Sequence, residues 1–412
     1  MSKKTVFLII ILVIVILGGF LGFVYYYLNK GVTPSPEKVA SSTKNFFPFG
    51  NSITASSSTN GATGNNSDSY QTANSGSIPN LRQISIVPTA GAIAFSTGNG
   101  STTAIRYTER GTGHIYQAIS NSLNQTRISN ITVPKVYEAL WIKNDSFIIR
   151  YSNDDESSIE SYFGQVIPIR NATSTQLVDV MQTTVTGNFL SKDIKQISVS
   201  PKKDLIFYNS IISKTDGTKK VEVLNSPFKN WLAQWFSDNN ILITTKSSAE
   251  SFGYAYFLNV KTGKYDKVFG EIRGLTTLAN TDGSKILYSQ SDQNDFSIKL
   301  YTVKTAKKED LLLKTFPEKC VWGNAVKTDI YCANPTFSKQ AEYPDDWYKG
   351  KVHFSDDIWK LDTLTGELTQ LAKLKDLTNQ EIDAINLSLD EKDNYLIFIN
   401  KNDLTLWSLK AN

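Results

Sequence analysis

Histidine, cysteine and methionine are nearly missing, with two of each among 412 residues. His114 and His353 stand far apart, so a histidine-based metal centre lacks its raw material, and each ring alone reads as a surface or packing residue. Charge is sparse too: 20% of residues are charged and the net is +4. Lys and Arg are scattered, whereas phosphate recognition gathers them on one face, so no nucleic-acid partner is indicated. There is no Gly-x-Ser-x-Gly elbow, His-Glu-x-x-His pair, phosphate-cradling glycine loop or EF-hand spacing. No catalytic residue, metal or cofactor is therefore expected. Asp and Glu are spread over turns, as at Asp154-Asp155, where Asp suits turn geometry for its own sake. Carboxylates converging from distant parts of the chain, as in glycosidases, stay open as an alternative.

What is present falls into three stretches. Residues 5–28 read TVFLIIILVIVILGGFLGFVYYYL, 24 positions without a charge, and a membrane helix needs about 20. A soluble helix would keep a polar face. A cleaved signal would have an apolar core of about 7–15 residues followed by a small-residue site. This run is longer and ends in Tyr25, Tyr26 and Tyr27, which suit a membrane interface. We expect a transmembrane anchor over residues 1–30, with the lipid bilayer as partner through 5–28. Lys3 and Lys4 precede the span, while Lys30, Glu37 and Lys38 behind it nearly balance. The positive-inside rule then puts the N-terminus in the cytoplasm and the bulk outside the cell membrane.

Residues 31–79 are dominated by Ser, Thr, Asn and Gly. Such a stretch cannot bury enough apolar surface to offset its chain entropy, and a disordered tether is expected. One apolar island, Phe46-Phe47-Pro48-Phe49, interrupts it, either as a docking segment or as an incidental patch. Asn-x-Ser/Thr triplets at Asn99, Asn124, Asn130 and Asn171 are what chance supplies in so Asn- and Ser-rich a chain.

From residue 80 to 412 one unit recurs: a short apolar strand, a polar turn, a stronger apolar strand. Seven Trp and nineteen Tyr, many in short runs with Ile, Leu and Val, fit strands better than helices. The copies read VPTAGAIAFS from Val87, ALWIKNDSFIIRYS from Ala139, QISVSPKKDLIFYNS from Gln196 and AQWFSDNNILITTKS from Ala233. TTLANTDGSKILYSQS from Thr276, CVWGNAVKTDIYCAN from Cys320 and INLSLDEKDNYLIFIN from Ile385 complete the set. Second hairpins follow, as in FLNVKTGKYDKVF from Phe257 and WKLDTLTGELTQLA from Trp359. Four strands per unit at this wandering spacing define propeller blades. The chain is thus expected to be all-β, a seven-bladed β-propeller of four-stranded blades preceded by the anchor and tether. The last unit is one strand short, and LRQIS at 81–85, similar to QTRIS at 125–129, is assigned as its fourth strand. That pairing would remove an exposed sheet edge.

The turns Ser200-Pro201-Lys202-Lys203 and Thr281-Asp282-Gly283-Ser284 resemble the Ser-Pro-Asp-Gly turn of the TolB-like, WD-like propeller repeats of bacterial envelope proteins. The resemblance spans 81–412. It implies the fold and says nothing of activity. The chain departs from TolB in its anchor and in lacking a separate N-terminal domain, and from dipeptidyl-peptidase propellers in lacking their hydrolase domain.

Blade six is singled out twice. Cys320 and Cys332 flank its first turn symmetrically about Val326, opposite one another in the register that sets Trp322 against Ile330. A disulfide is expected there, in keeping with an oxidising compartment. Between its second and third strands lies an insertion, 337–359, carrying Tyr343, Asp345, Asp346, Trp347, Tyr348, Asp356 and Asp357. Aromatics beside carboxylates suit contact with a protein, peptide or glycan of the cell envelope. The alternative is that Trp347 and Tyr348 fold back as a cover while the Asp residues cap turns. The expected function is a tethered binding scaffold outside the membrane; the alternative is a carbohydrate-active or other hydrolase or lyase working over the channel. A sensor signalling inward is disfavoured by the few residues that precede the span.

Overall fold

The computed structural model describes residues 78–412, apart from 98–99, 101, 130, 153–157, 169–182, 229 and 293. The expected anchor, and the tether but for its last two residues, lie outside these, as does the Phe46–Phe49 island. Among the described residues no helix is long and apolar enough to cross a membrane.

Seven antiparallel four-stranded sheets account for every described strand. They span 89–127, 136–189, 198–222, 231–273, 277–310 and 320–373, and the seventh joins 384–410 to Leu81–Gln83. The first six are simple meanders, the seventh is a three-stranded meander completed by Leu81–Gln83, and the first strands of several neighbouring blades touch one another, which places them innermost. Each repeat read from the sequence falls in its own blade, although in the first copy Thr89–Thr97 is one continuous strand rather than a strand, a turn and a strand. The closing strand pairs Leu81 with Leu409, Arg82 with Ser408 and Gln83 with Trp407. It is shorter than expected, because Ile84 and Ser85 have left the ladder and both donate their N–H to Leu406 O. Arg82 carries the closure into blade one by donating to Ser122 O at 2.6 Å and Ile119 O at 2.7 Å.

The core is distributed rather than central. Seven buried apolar clusters each bridge one pair of adjacent blades, so the ring has seven glued seams. At the seam of blades four and five, Phe236 packs over the turn that contains Gly283. Gly283 sits at φ +72°, and a Cβ there would lie 2.3 Å from the Phe236 ring. That position needs glycine for both reasons. At the seam of blades six and seven, Asp393 accepts the N–H groups of Asn324, Ala325 and Val326 at 2.7, 2.9 and 3.1 Å. A buried carboxylate is kept there because three backbone donors replace its water.

The meander fixes two faces. Connections between blades, and from second to third strands, emerge on what we term the upper face; the remaining turns form the lower. The chain enters from the lower face, where Lys410 N–H meets Asn80 O at 2.7 Å.

Candidate functional site

In blade six, Cys320–Trp322 pairs with Asp329–Pro335, setting Cys320 against Cys332 and Trp322 against Ile330. The two cysteines form a disulfide with Cα atoms 4.1 Å apart. The third strand resumes at Asp356, not after residue 359. Asp356 and Asp357 therefore belong to the sheet, opposite Pro335 and Asn334. Pairing extends this far because the strand is covered on both faces, Ile358 being buried in the seam with blade seven and Leu361 in the seam with blade five.

The insertion proper, 336–355, lies over the upper face. Thr336 N–H and Ser355 O close its base at 2.9 Å. It crosses blade five, where Ala341 N–H meets Asn294 O at 3.1 Å and Ser291 Oγ donates to Tyr343 O. It reaches blade four, where Asp345 Oδ2 accepts Ala249 N–H at 2.6 Å. Toward blade seven, Lys401 donates to Trp347 O at 2.7 Å, its ammonium 5.0 Å from the centre of the indole ring.

Beneath this strap is an eighth cluster: Phe296, Phe316, Tyr343, Trp347 and Phe354. Phe296 and Phe316 stack with centroids 4.3 Å apart, and Phe316 stacks on Trp347 at 5.3 Å. The cluster roofs a charge triad. Lys319, which ends the turn before the innermost strand, donates to Asp356 Oδ2 at 2.7 Å and to Asp383 Oδ1, all three side chains being 0% exposed. Asp383 also accepts Trp347 Nε1–H at 2.9 Å and Phe354 N–H at 3.2 Å, and Asp356 accepts Ala384 N–H at 2.6 Å. The Lys319 ammonium lies 5.3 Å from the Trp347 ring centre and 5.1 Å from that of Phe354. Dehydration is the largest influence on Asp356, pushing its carboxyl up to about 6 against the pull of Lys319. No substrate can reach this ammonium, and its role is to hold three elements together: the turn before blade six, the strap and the turn before blade seven.

The seven residues expected to form a contact site divide accordingly. Tyr343, Trp347 and Asp356 are buried. Tyr343 donates to Lys339 O, within the strap. Asp345, Asp346, Tyr348 and Asp357 keep solvent contact. Asp346 pairs with Lys351 at 2.8 Å, and that lysine is what holds its carboxyl below the usual range. Asp357 accepts Gln370 Nε2–H at 2.9 Å and is raised, chiefly by dehydration. Tyr348, 40% exposed, donates to Glu318 Oε1 at 2.5 Å. Glu318 is reached by solvent yet hemmed in by protein, and dehydration pushes its carboxyl up to about 7. Phe316, Glu318, Lys319, Asp383 and Lys401 were not foreseen. Each is an ordinary residue in its own neighbourhood, and the partners of Lys319 lie 37 and 64 positions away.

The fold defines a seven-bladed β-propeller with strapped upper face, the architecture that the repeat resemblance implies. No protein-family model and no curated protein matches the sequence. Solved structures similar to it include TolB from Acinetobacter baumannii, at 10% identity and TM-score 0.39, covering 78% of this chain and 79% of that one. The WD40 domain of Neurospora crassa Pan2 aligns at 12% identity and TM-score 0.44, over 80% of this chain and 95% of that one. Kuenenia stuttgartiensis hydrazine synthase aligns at 14% and 0.43, over 66% and 75%. These are likenesses of fold alone.

Proposed function

We propose that this chain is a membrane-tethered propeller outside the cytoplasmic membrane, serving as a scaffold whose upper face binds a protein or peptide of the envelope. One observation carries the choice of face. Among the described residues, five aromatic side chains are more than a third exposed: Phe189, Phe228, Phe252, Phe337 and Tyr348. By chain topology all five emerge at the upper face, opposite the point where the chain enters. Exposed aromatics gathered on one side are characteristic of contact surfaces. Asp345 and Asp346 supply the charge beside Tyr348 on the strap. The uncharged run at 5–28, Lys3 and Lys4 ahead of it, and the Cys320–Cys332 bond support the tethered, oxidising location.

Two measurements test the proposal. Protease added to intact spheroplasts should cut within residues 31–79 and release the propeller; protection until lysis would reverse the orientation. The full-length chain should recover a partner from envelope extracts, and Phe252→Ser with Phe337→Ser and Tyr348→Ala should abolish recovery. Leu123→Ser with Val326→Ser and Leu364→Ser, on the lower face, should leave it intact. The opposite pattern would assign the contact to the lower face and defeat the proposal.

A further inference from the structure

A groove of about 590 Å³ opens between blades three and four, lined by residues of upper-face connections and of the strands they join, among them Trp231–Ala233 at the start of blade four. Its size suits a small ligand. We propose that it is a binding site for a short uncharged oligosaccharide. The inference shares a face and Phe228 with the scaffold proposal, but its other residues are different and it stands separately.

The lining is rich in carboxamides: Gln196, Asn209, Asn225 and Asn230. A sugar hydroxyl both donates and accepts, and a carboxamide offers one acceptor beside two donors, so the two match without any charge. Three of the four are held in place by the protein. Gln196 Oε1 accepts Ala233 N–H at 3.0 Å, and Asn230 Oδ1 accepts Lys195 Nζ–H at 2.9 Å. Asn209, in a tight turn with φ 44°, donates Nδ2–H to Asp193 O at 3.0 Å. Each of these contacts leaves donor or acceptor capacity unspent, and positions it before any ligand arrives.

The wall also contains Trp231, whose ring meets Phe228 edge-on at 5.6 Å and Tyr256 at 5.7 Å. Phe228 itself is 61% exposed. Sugar rings have apolar C–H faces that pack on such side chains, while a charged ligand gains little here. Lys195 and Lys246 are balanced by Asp193 and Glu222 around the same lining, so neither an anion nor a cation is favoured.

The test titrates cellotriose and tri-N-acetylchitotriose into the full-length chain by calorimetry, with a tripeptide of neutral side chains as the third arm. At least one saccharide should bind with a millimolar or tighter Kd. Asn225→Ala with Asn230→Ala should weaken that binding roughly tenfold, the loss of one or two hydrogen bonds. Circular dichroism should show the double variant folded, because neither substitution enters a core cluster. The strap variants Phe337→Ser and Tyr348→Ala should leave saccharide binding unchanged, which separates this site from the scaffold contact. Absence of heat with both saccharides, binding unaffected by the asparagine substitutions, or binding of the tripeptide alone would each overturn the assignment.

Discussion

Replacing Lys319 by methionine keeps a side chain of similar length and removes only the ammonium. The two carboxylates it served, both 0% exposed, would keep neutral donors: Ala384 N–H on Asp356, and Trp347 Nε1–H and Phe354 N–H on Asp383. Those donors do not cancel charge. Lys401, over the Trp347 ring, offsets part of the loss, although dehydration lowers its own pKa. Breaking a buried ion pair from one side typically costs ~3–5 kcal/mol. An unfolding entropy of ~2.1 cal/mol/K per residue, over the roughly 335 residues from 78 to 412, is ~0.7 kcal/mol/K. The melting temperature should therefore fall by about 4–7 °C at pH 8. The dependence on pH has a definite sign. Burial already lifts Asp356 from 3.8 to about 6, so the stability linked to its proton is complete below 3.8 and is lost as pH rises through about 6. Without the ammonium the Asp356 carboxyl rises further, and a proton can stand in for the missing cation. The deficit should shrink on going from pH 8 to pH 5. Melts followed by circular dichroism at both pH values decide the matter, with Lys319→Met, Asp356→Asn and Asp383→Asn combined as the control expected to recover most of the loss. Unchanged melting of the single variant at pH 8, or a deficit of equal size at pH 5, would refute the reasoning.

Three further outcomes are expected. Beginning the chain after residue 85 rather than after residue 78 removes buried Ile84 and both bonds of Arg82. It should lower the melting temperature by about 4 °C or more, from at least ~3 kcal/mol lost; equal melting of the two chains would rule out the closing role. Substituting both Cys320 and Cys332 by Ala should cost ~2–3 kcal/mol, about 3–4 °C, for a loop closed across 12 positions. Both sulfurs are buried, so alkylation mass spectrometry should find them protected in folded protein treated with dithiothreitol, and rapid labelling would contradict this. Glu318 has its folded pKa raised to about 7 from 4.5, so stability linked to its proton is lost as pH rises through that range. Glu318→Gln keeps an acceptor for Tyr348 and removes the titration; its melting temperature relative to the native chain should increase from pH 5 to pH 8, by no more than a few degrees, and a constant difference would count against it.

The blades were legible because each is a local pattern: an Asp- or Gly-containing turn between apolar strands, repeated without reference to distant residues. The disulfide was legible for the same reason, since Cys320 and Cys332 share one hairpin and its register follows from the turn. The closing strand was readable from likeness to 125–129, although its length was not, because Ile84 departs to fill the seam with blade one. What could not be read is how the strap divides itself. Trp347 beside Asp346 suits an exposed loop and a buried lid equally well until Phe316, Lys319 and Asp383 come to meet it. Asp356 and Asp357 looked like loop carboxylates because Asp is unusual in a strand. Asp356 is tolerated there because an ammonium from 37 positions earlier and the Ala384 N–H replace its water.

The closing strand also has a mechanical meaning. Chain entering at the lower face runs upward through Leu81–Gln83, antiparallel to its neighbour Leu406–Lys410. A pull on residue 78 away from that face is directed along the strand. Its ladder bonds are then loaded together, in shear, instead of one after another as in unzipping. Arg82, fastened to blade one, shares the load across a seam. A propeller held from below and gripped from above would thus take tension at its strongest geometry, and the strand that closes the ring would be the clasp that bears it.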